Sequence, residues 1–414
     1  MSHAASLDRS TRMSSVYWTC AVIGLGGLFS GITGPLISTF VPPLVQGVLG
    51  DHRTAIGFVM AIDNVLLLLL VPWAGPASDR AVQLGKGRMR FVIGGYLLAA
   101  VGMALLPTLA TGLVALISGI VILNVGINVQ RAPFQALVAD VVPSRWRSLA
   151  TGSVTFQMCV GAIVFLMLGR MLGMRPAFLI AAVSVVAVAG AFVLWLREPG
   201  QPTGTPSNEV TYRSLLNAAL SSLRGGIPAV RPIFVATLLL QLTFQTFTTW
   251  YALHGTARFG VKPEDVTVGF IAWAVGGVIG SLPAGWIGVR LGRRRAMLIG
   301  FGLMGACLLG LDRVASVQQA VPLLALASAS WTFPMVNAFP MFVERVPAPH
   351  RGVLGALYVL CMALGGAIGD PLNGGLFDLF GGYRPLFLMM TGYVALAFVT
   401  VFMVPLGAGE SAPA

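Results

Sequence analysis

Between about residue 16 and residue 405 the chain alternates long apolar runs with short polar breaks. The runs are about 20 residues long, the length a helix rising 1.5 Å per residue needs to cross a bilayer's hydrocarbon core. Twelve can be read, with approximate limits 16–41, 54–74, 91–110, 112–139, 149–169, 176–196, 232–254, 266–288, 296–311, 320–343, 352–371 and 384–405, the run at 296–311 being the shortest. Spanning segments must satisfy every backbone N–H and C=O internally, so the pattern predicts an all-α membrane protein with twelve transmembrane helices. The longest polar break is rich in Pro, Gly and Ser and divides the chain. The expected organisation is a cytoplasmic tail (1–15), a six-helix bundle (16–197), a cytoplasmic linker (198–231), a second six-helix bundle (232–405) and a cytoplasmic tail (406–414). The middle of the linker, Val210–Leu223, reads either as an amphipathic interfacial helix or as plain linker.

Composition agrees with that pattern: 56% of residues are hydrophobic and 10% charged, against about 25% charged in soluble domains, and the mean hydropathy is +0.85. The net charge of +12 raises the question of nucleic acid, which the positions of the 26 basic residues answer. With the N-terminus inside, eighteen lie on the cytoplasmic side, seven outside (Arg53, Arg170, Arg175, Arg258, Lys262, Arg313, Arg384) and one, Arg131, within a span. This positive-inside bias places both termini in the cytoplasm of a multi-pass protein in an inner or plasma membrane. No basic face is contiguous on a water-soluble element, so the expected partners are the lipid bilayer, a small solute and protons, not nucleic acid. The protein is expected to work as a monomer.

Cys20, Cys159, Cys307 and Cys361 all fall inside spans and read as small buried residues, not as a disulfide or metal set. The first fifteen residues are polar and the run after them is too long for a secretory signal; Ser2 and the end Ser-Ala-Pro-Ala fit no lipidation pattern. No His/Asp/Glu cluster or nucleophile–base pair is present, and His254 and His350 sit at span ends, so neither enzyme activity nor a cofactor or metal is expected.

The candidate chemistry lies in polar residues inside the spans. Asp63, followed by Asn64, stands nine residues below the outer boundary of helix 2, about 13 Å deep. An acid there costs about 2.5–3.5 kcal/mol on insertion scales, and such acids line cavities or proton paths more often than they serve packing alone. In helix 4, Asn124, Asn128 and Arg131 recur at spacings of four and three and share a face. Arg131 needs a partner: Asp63 bridged by water or solute, or backbone carbonyls freed by Pro133. Gln157 is the large polar residue of helices 5 and 6. In helix 7, Gln241 and Gln245 stand one turn apart near Trp250; they read equally as sugar-binding groups or as interhelical bonds with an interfacial anchor. Helices 10 to 12 add Trp331, Asn337 and Tyr358 as candidate solute contacts. Asp370, nineteen residues beyond Arg351 and so about 28 Å up, is expected at the outer helix end and not as a second coupling acid. The glycines of helix 1 read as packing, with Ser30 and Thr33 either joining that contact or edging a solute cavity.

The two halves echo each other. Asp140-x-x-Pro143-x-x-x-Arg147 recurs as Glu344-x-x-Pro347-x-x-x-Arg351, and Gly75-x-x-x-x-Arg80 recurs as Gly285-x-x-x-x-Arg290, with Val289 at the place of Asp79. Matching cytoplasmic turns imply a pseudo-two-fold axis along the membrane normal and a midplane site between the halves. Asp79, Arg80, Asp140, Arg147, Glu344 and Arg351 then read as a cytoplasmic gate whose charges pair and part, or as solvated turns.

These residues resemble the major facilitator superfamily, whose signature after helix 2 is similar to Gly75-Pro-Ala-Ser-Asp79-Arg80 followed by Gly87-Arg88. The longer turn, the acid in helix 2 and R-A-P-x-x-A-L-V-A-D-x-x-P-x-x-x-R at Arg131–Arg147 resemble the sucrose/proton symporters and the glycoside–pentoside–hexuronide:cation symporters. The resemblance implies proton-coupled symport of a di- or oligosaccharide by alternating access, with Asp63 and Arg131 in the coupling. Helix 8 departs from the pattern by lacking the turn's acid. The alternative is a proton-antiport exporter of drugs or other amphipathic metabolites.

Overall fold

A computed structural model describes residues 2–109, 112–198, 230–345 and 351–404, without the side chains of 2–15, 144, 148, 230 and 342–359. Among the described residues there are twelve α-helices: α1 (Ser2–Leu49), α2 (Arg53–Gln83), α3 (Met89–Leu105), α4 (Leu113–Val141), α5 (Arg147–Leu172), α6 (Met174–Trp195), α7 (Val230–Phe259), α8 (Pro263–Leu291), α9 (Arg293–Leu311), α10 (Val317–Arg345), α11 (Arg351–Leu379) and α12 (Leu386–Phe402). Nine are long and apolar enough to cross a membrane, and α3 and α12 are shorter apolar helices. The all-helical, membrane-spanning reading holds. The helix expected to be shortest, α9, has 19 residues, against 17 each for α3 and α12. The amphipathic segment proposed for Val210–Leu223, with His350, Pro347 and the tail 406–414, lies outside the described residues.

Two boundaries differ from expectation. The Gly75–Arg80 signature is not a turn: α2 continues through it to Gln83 with Pro72 and Pro76 inside the helix. The reversal comes at Gly85 and Gly87, both with φ near 69°, where a side chain would be strained. Asp370 is not at a helix end either. α11 runs nine residues past it to Leu379 with Pro371 inside, and the Asp370 side chain is fully buried. Depth counted from Arg351 misplaced it because a spanning helix need not stop at the hydrocarbon edge.

The helices form two compact units. One holds α1 as far as Ile37, α2 from Leu66, and α3 to α6; the other holds Ser38–Val65 together with α7 to α12. The division therefore cuts α1 and α2, which the sequence had placed wholly in the first bundle. In the first unit α3 packs on α4 and α6; in the second, α9 packs on α10 and α12, the same partners six helices later. Small residues make these contacts. A Cβ at Gly102 would press on the Leu123 backbone of α4, and one at Gly300 on Phe333 and Pro334 of α10. In α1, Gly24, Gly27 and Gly31 meet α5 at Ser153–Gln157, Val154 and Met158. Those glycines are packing residues. Thr33 is buried and donates to Phe29 O at 3.0 Å, whereas Ser30 is exposed.

Candidate functional site

Polar side chains inside the apolar helices fall into four groups, each within one unit. The first lies where α2 and α7 meet α11. Gly57, Gly366 and Gly374 bring α2 and α11 together so closely that a Cβ would strike, in turn, the Asp370 carbonyl, the Asn64 amide and the Arg53 carbonyl. Asp63 is half-buried here and Asn64 buried. Across the seam Asp370 accepts from Gln245 Nε2 on its Oδ2 at 3.1 Å, and the Thr249 hydroxyl stands within reach of the same carboxyl. Behind it, Tyr393 donates to Asn373 Oδ1 at 2.7 Å, and Asn373 Nδ2 donates to the Thr246 hydroxyl at 2.8 Å. Further along the seam, Asp378 accepts from both the backbone N–H (2.8 Å) and the hydroxyl (2.6 Å) of Thr54, and from the Arg53 N–H (3.1 Å). It thereby satisfies donors that the first turn of α2 leaves without a helical partner.

The second group is aromatic. Trp331 stacks on Phe244 with centroids 5.1 Å apart, and Trp273 stacks on Phe247 at 4.2 Å. Gln241 stands nearby, its Nε2 directed at Met335 Sδ at 3.8 Å. Trp250, expected beside the glutamines, is instead fully buried against Phe377 and Tyr383. It is neither an interfacial anchor nor a face-sharing partner of Gln241 and Gln245, because five residues from Gln245 it points to another side of α7.

The third group belongs to α4. Asn124 and Asn128 are buried, with Asn128 Nδ2 donating to Asn124 O at 3.0 Å, while Arg131 is exposed. Gln157 and Asn337 do structural work in their own units. Gln157 Nε2 donates to Ala21 O on α1 at 2.8 Å, and Asn337 Nδ2 donates to Ala284 O of α8 at 3.1 Å and Phe333 O at 2.9 Å.

The fourth group closes the end of the first unit. The expected gate comprised Asp79, Arg80, Asp140, Arg147, Glu344 and Arg351; the cation that joins Asp79 and Asp140 is Arg88. Its Nε donates to Asp140 Oδ2 at 2.6 Å, and its Nη1 to Asp79 and to Ser78 Oγ at 3.0 Å. Burial by itself would lower the Arg88 guanidinium, but the bonds and charges of Asp79 and Asp140 outweigh it and hold its pKa above the ordinary value. Glu198 accepts from the Arg88 and Met89 backbone N–H groups at 2.5 and 3.1 Å, pinning the start of α3. Arg147 turns to the carbonyls of Ala139 (2.9 Å) and Val142 (3.4 Å). In the second unit Arg290 lies over the Trp286 ring, 4.2 Å from its centroid. The side chains of Glu344, Arg351 and Tyr358 lie outside the described residues. Sequence reasoning gave Arg88 no place in the gate and read Asp370 as a helix-end residue; Gly87-Arg88 in the signature was the available signal for the first.

Comparison with known proteins places these features. The sequence profile described as Major Facilitator Superfamily matches residues 23–276 and 233–413. The chain is 29% identical over 203 residues to the facilitated glucose transporter member 2 of Gallus gallus, covering 44% of this chain and 38% of that protein. The chain thus spans about two fifths of the length of the glucose transporters it matches. It is 22% identical over 394 residues to multidrug resistance protein 1 of Bacillus subtilis, covering 92% and 95% of the two chains. Among solved structures, a bacterial homologue of the human lysosomal transporter Spinster, in an inward-facing and occupied conformation, superposes with a TM-score of 0.73 at 13% identity over 94% of this chain and 96% of that one. The nucleoside transporter NupG gives 0.70 at 13% identity over 92% of this chain and 100% of that one. At such identities these likenesses concern the fold.

Proposed function

Because the chain belongs to the Major Facilitator Superfamily, we propose that this multi-pass membrane transporter moves a small polar solute, a di- or oligosaccharide, by proton-coupled symport and alternating access. The observation that carries the reading is Asp63, an acid half-buried in a spanning helix beside Asn64. A protonated Asp63 removes the cost of a charge in the apolar interior, so that solute and proton together favour closure and loss of the proton inside resets the cycle. The amides of Gln241 and Gln245, with the stacked Trp331 and Trp273, supply the hydrogen-bonding and ring-stacking groups a sugar needs. The local similarity to glucose transporters supports the solute class. Arg131 supplies a second charge in the span, and both termini lie in the cytoplasm on the positive-inside rule.

A second reading, export of amphipathic compounds by proton antiport, draws on the aromatic cluster of Phe244, Phe247, Trp273 and Trp331 and on the near full-length similarity to a multidrug resistance protein. One experiment separates them. Proteoliposomes are given a proton gradient and a panel of labelled disaccharides, with and without an uncoupler. Moving one charge through 100 mV is worth about 2.3 kcal/mol, enough for roughly 50-fold accumulation. Symport predicts uncoupler-sensitive accumulation by wild type, lost in Asp63→Asn with exchange retained. Accumulation undiminished in Asp63→Asn refutes the role given to Asp63, and gradient-driven efflux of an amphipathic dye without sugar uptake favours export.

A further inference from the structure

Helix α8 has two opposite faces. Gly276, Gly280 and Gly288 lie against Ala325, Ala329 and Asn337 of α10, with no room for a Cβ. Ile279, Leu282, Trp286 and Val289, spaced by three and four residues and so on one stripe, are each more than half exposed. No described segment covers that stripe, and along a spanning helix it meets acyl chains. The stripe ends in positive charge. Arg290 folds back from the last turn of α8 over the Trp286 ring, 4.2 Å from its centroid. A single residue, Gly292 with φ 86°, then turns the chain into Arg293-Arg294-Arg295 at the start of α9. Four arginines thus fall within six residues, and the sequence holds no Asp or Glu from 266 to 311.

These cations are not used alike. Arg294 closes the end of α12, its Nε donating to Val401 O at 3.2 Å and its Nη2 to Phe402 O. Arg290 and Arg295 are exposed, and neither has an acidic partner among the described residues. At the same end of the first unit Asp79 and Asp140 hold Arg88, whereas Val289 occupies the place of Asp79 in the second. A guanidinium stacked on an aromatic face keeps its in-plane N–H groups for an oxyanion, and tryptophan favours the headgroup depth of a membrane.

We propose that the α8–α9 end of the second unit is a binding site for an anionic phospholipid, with the phosphate held by Arg290 and Arg295 and one acyl chain laid along Val289, Trp286, Leu282 and Ile279. On the positive-inside rule this end faces the cytoplasmic leaflet, whose surface is negative. Charge complementarity selects the headgroup: a zwitterionic lipid brings its own cation to the four arginines, and an anionic one does not. The stripe selects a lipid over a free anion or an acidic protein, because its ten residues from Ile279 to Val289 run about 15 Å along the helix into the bilayer. The lipid supplies from outside the negative charge that Asp79 supplies within the first unit.

The test titrates the full-length, delipidated protein in a neutral detergent with phosphatidylglycerol or with phosphatidylcholine and counts bound lipid by native mass spectrometry. It needs no transported solute, so it stands apart from the uptake assay. Wild type is expected to hold one phosphatidylglycerol with an affinity about ten-fold or more above that for phosphatidylcholine. Arg290→Gln and Arg295→Gln should each weaken it about five-fold, the equivalent of about 1 kcal/mol per basic residue at a membrane surface. Trp286→Leu keeps the stripe apolar and should weaken it too, whereas Arg313→Gln, at an exposed position just past the other end of α9, should not. Equal affinity for the two lipids overturns the proposal with no variant required. A preference that survives Arg290→Gln and Arg295→Gln together overturns it, and so does one that Arg313→Gln weakens equally, which makes binding a matter of overall charge. Inorganic phosphate that abolishes the preference at constant ionic strength makes this a free-anion site and also overturns it.

Discussion

Arg88 holds Asp140 through a 2.6 Å bond from Nε while its Nη1 reaches Asp79, so one guanidinium ties the end of α2 to the end of α4. The side chain of Arg88 is 9% exposed and that of Asp140 15%. In such a setting a charge-assisted bond is short and worth more than an exposed surface pair. Arg88→Met leaves two carboxylates without their cation. It should cost about 2–3 kcal/mol, read as a lower melting temperature in detergent, and Arg88→Lys should recover only part because it lacks the planar fork. An unchanged melting temperature in Arg88→Met would show the latch to be energetically idle.

The same latch has a defined pH response. Its folded pKa is raised, so the contribution of Arg88 is complete below the ordinary arginine value and is lost only as pH climbs past the still higher folded value. Between pH 7 and pH 10 the stability difference between wild type and Arg88→Met should therefore stay flat. A difference that shrinks over that interval contradicts the assignment.

Gly57 and Gly34 make a matched pair of substitutions. A Cβ at Gly57 runs into the Asp370 carbonyl and the Pro371 Cα, whereas at Gly34 nothing lies within 4 Å. Alanine favours a helix over glycine by about 1 kcal/mol. Gly34→Ala should accordingly be neutral or slightly stabilising. Gly57→Ala should lower the melting temperature and impair transport, since backbone atoms cannot yield as a side chain can. Equal behaviour of the two variants would mean that the α2–α11 seam is looser than described.

Asn337 offers a way to separate holding the fold from holding a solute. Its amide nitrogen bonds two carbonyls, on α8 and within α10. Asn337→Leu should cost about 1–3 kcal/mol of stability, with solute affinity in the surviving folded fraction unchanged. The check is a thermal melt beside an equilibrium binding measurement; a variant of wild-type stability with lost affinity restores the solute-contact reading.

Thr54 and Asp378 extend the same logic to the start of α2. Asp378→Ala removes the acceptor for two backbone N–H groups and one hydroxyl. The loss expected for such a cap is about 1–2 kcal/mol, and Thr54→Val, which keeps the backbone bond, should lose less. Hydrogen exchange at the first turn of α2 reports it directly: faster exchange in Asp378→Ala than in Thr54→Val is the expected order.

What the sequence determined by itself is the membrane-spanning, all-helical class, the twelve-helix order and the family. Each follows from one-dimensional facts. A bilayer sets a length near 20 apolar residues, basic residues mark the breaks, and short motifs repeat between the halves. Asp63 was legible for the same reason, as a lone acid in an apolar run. Tertiary structure decided which polar groups meet. Asp79 and Asp140 chose Arg88 over Arg80 and Arg147 because the Gly85–Gly87 reversal folds Arg88 back between α2 and α4. Asp370 became a buried acid bonded to Gln245 of α7, its backbone pressed against Gly57 of α2 where small residues let the helices touch. Trp250 went into the packing against Phe377 and Tyr383, away from the glutamines. Spacing along one helix tells which residues share a face, but which neighbour that face meets depends on close approaches between distant segments, and those are fixed only when the helices pack.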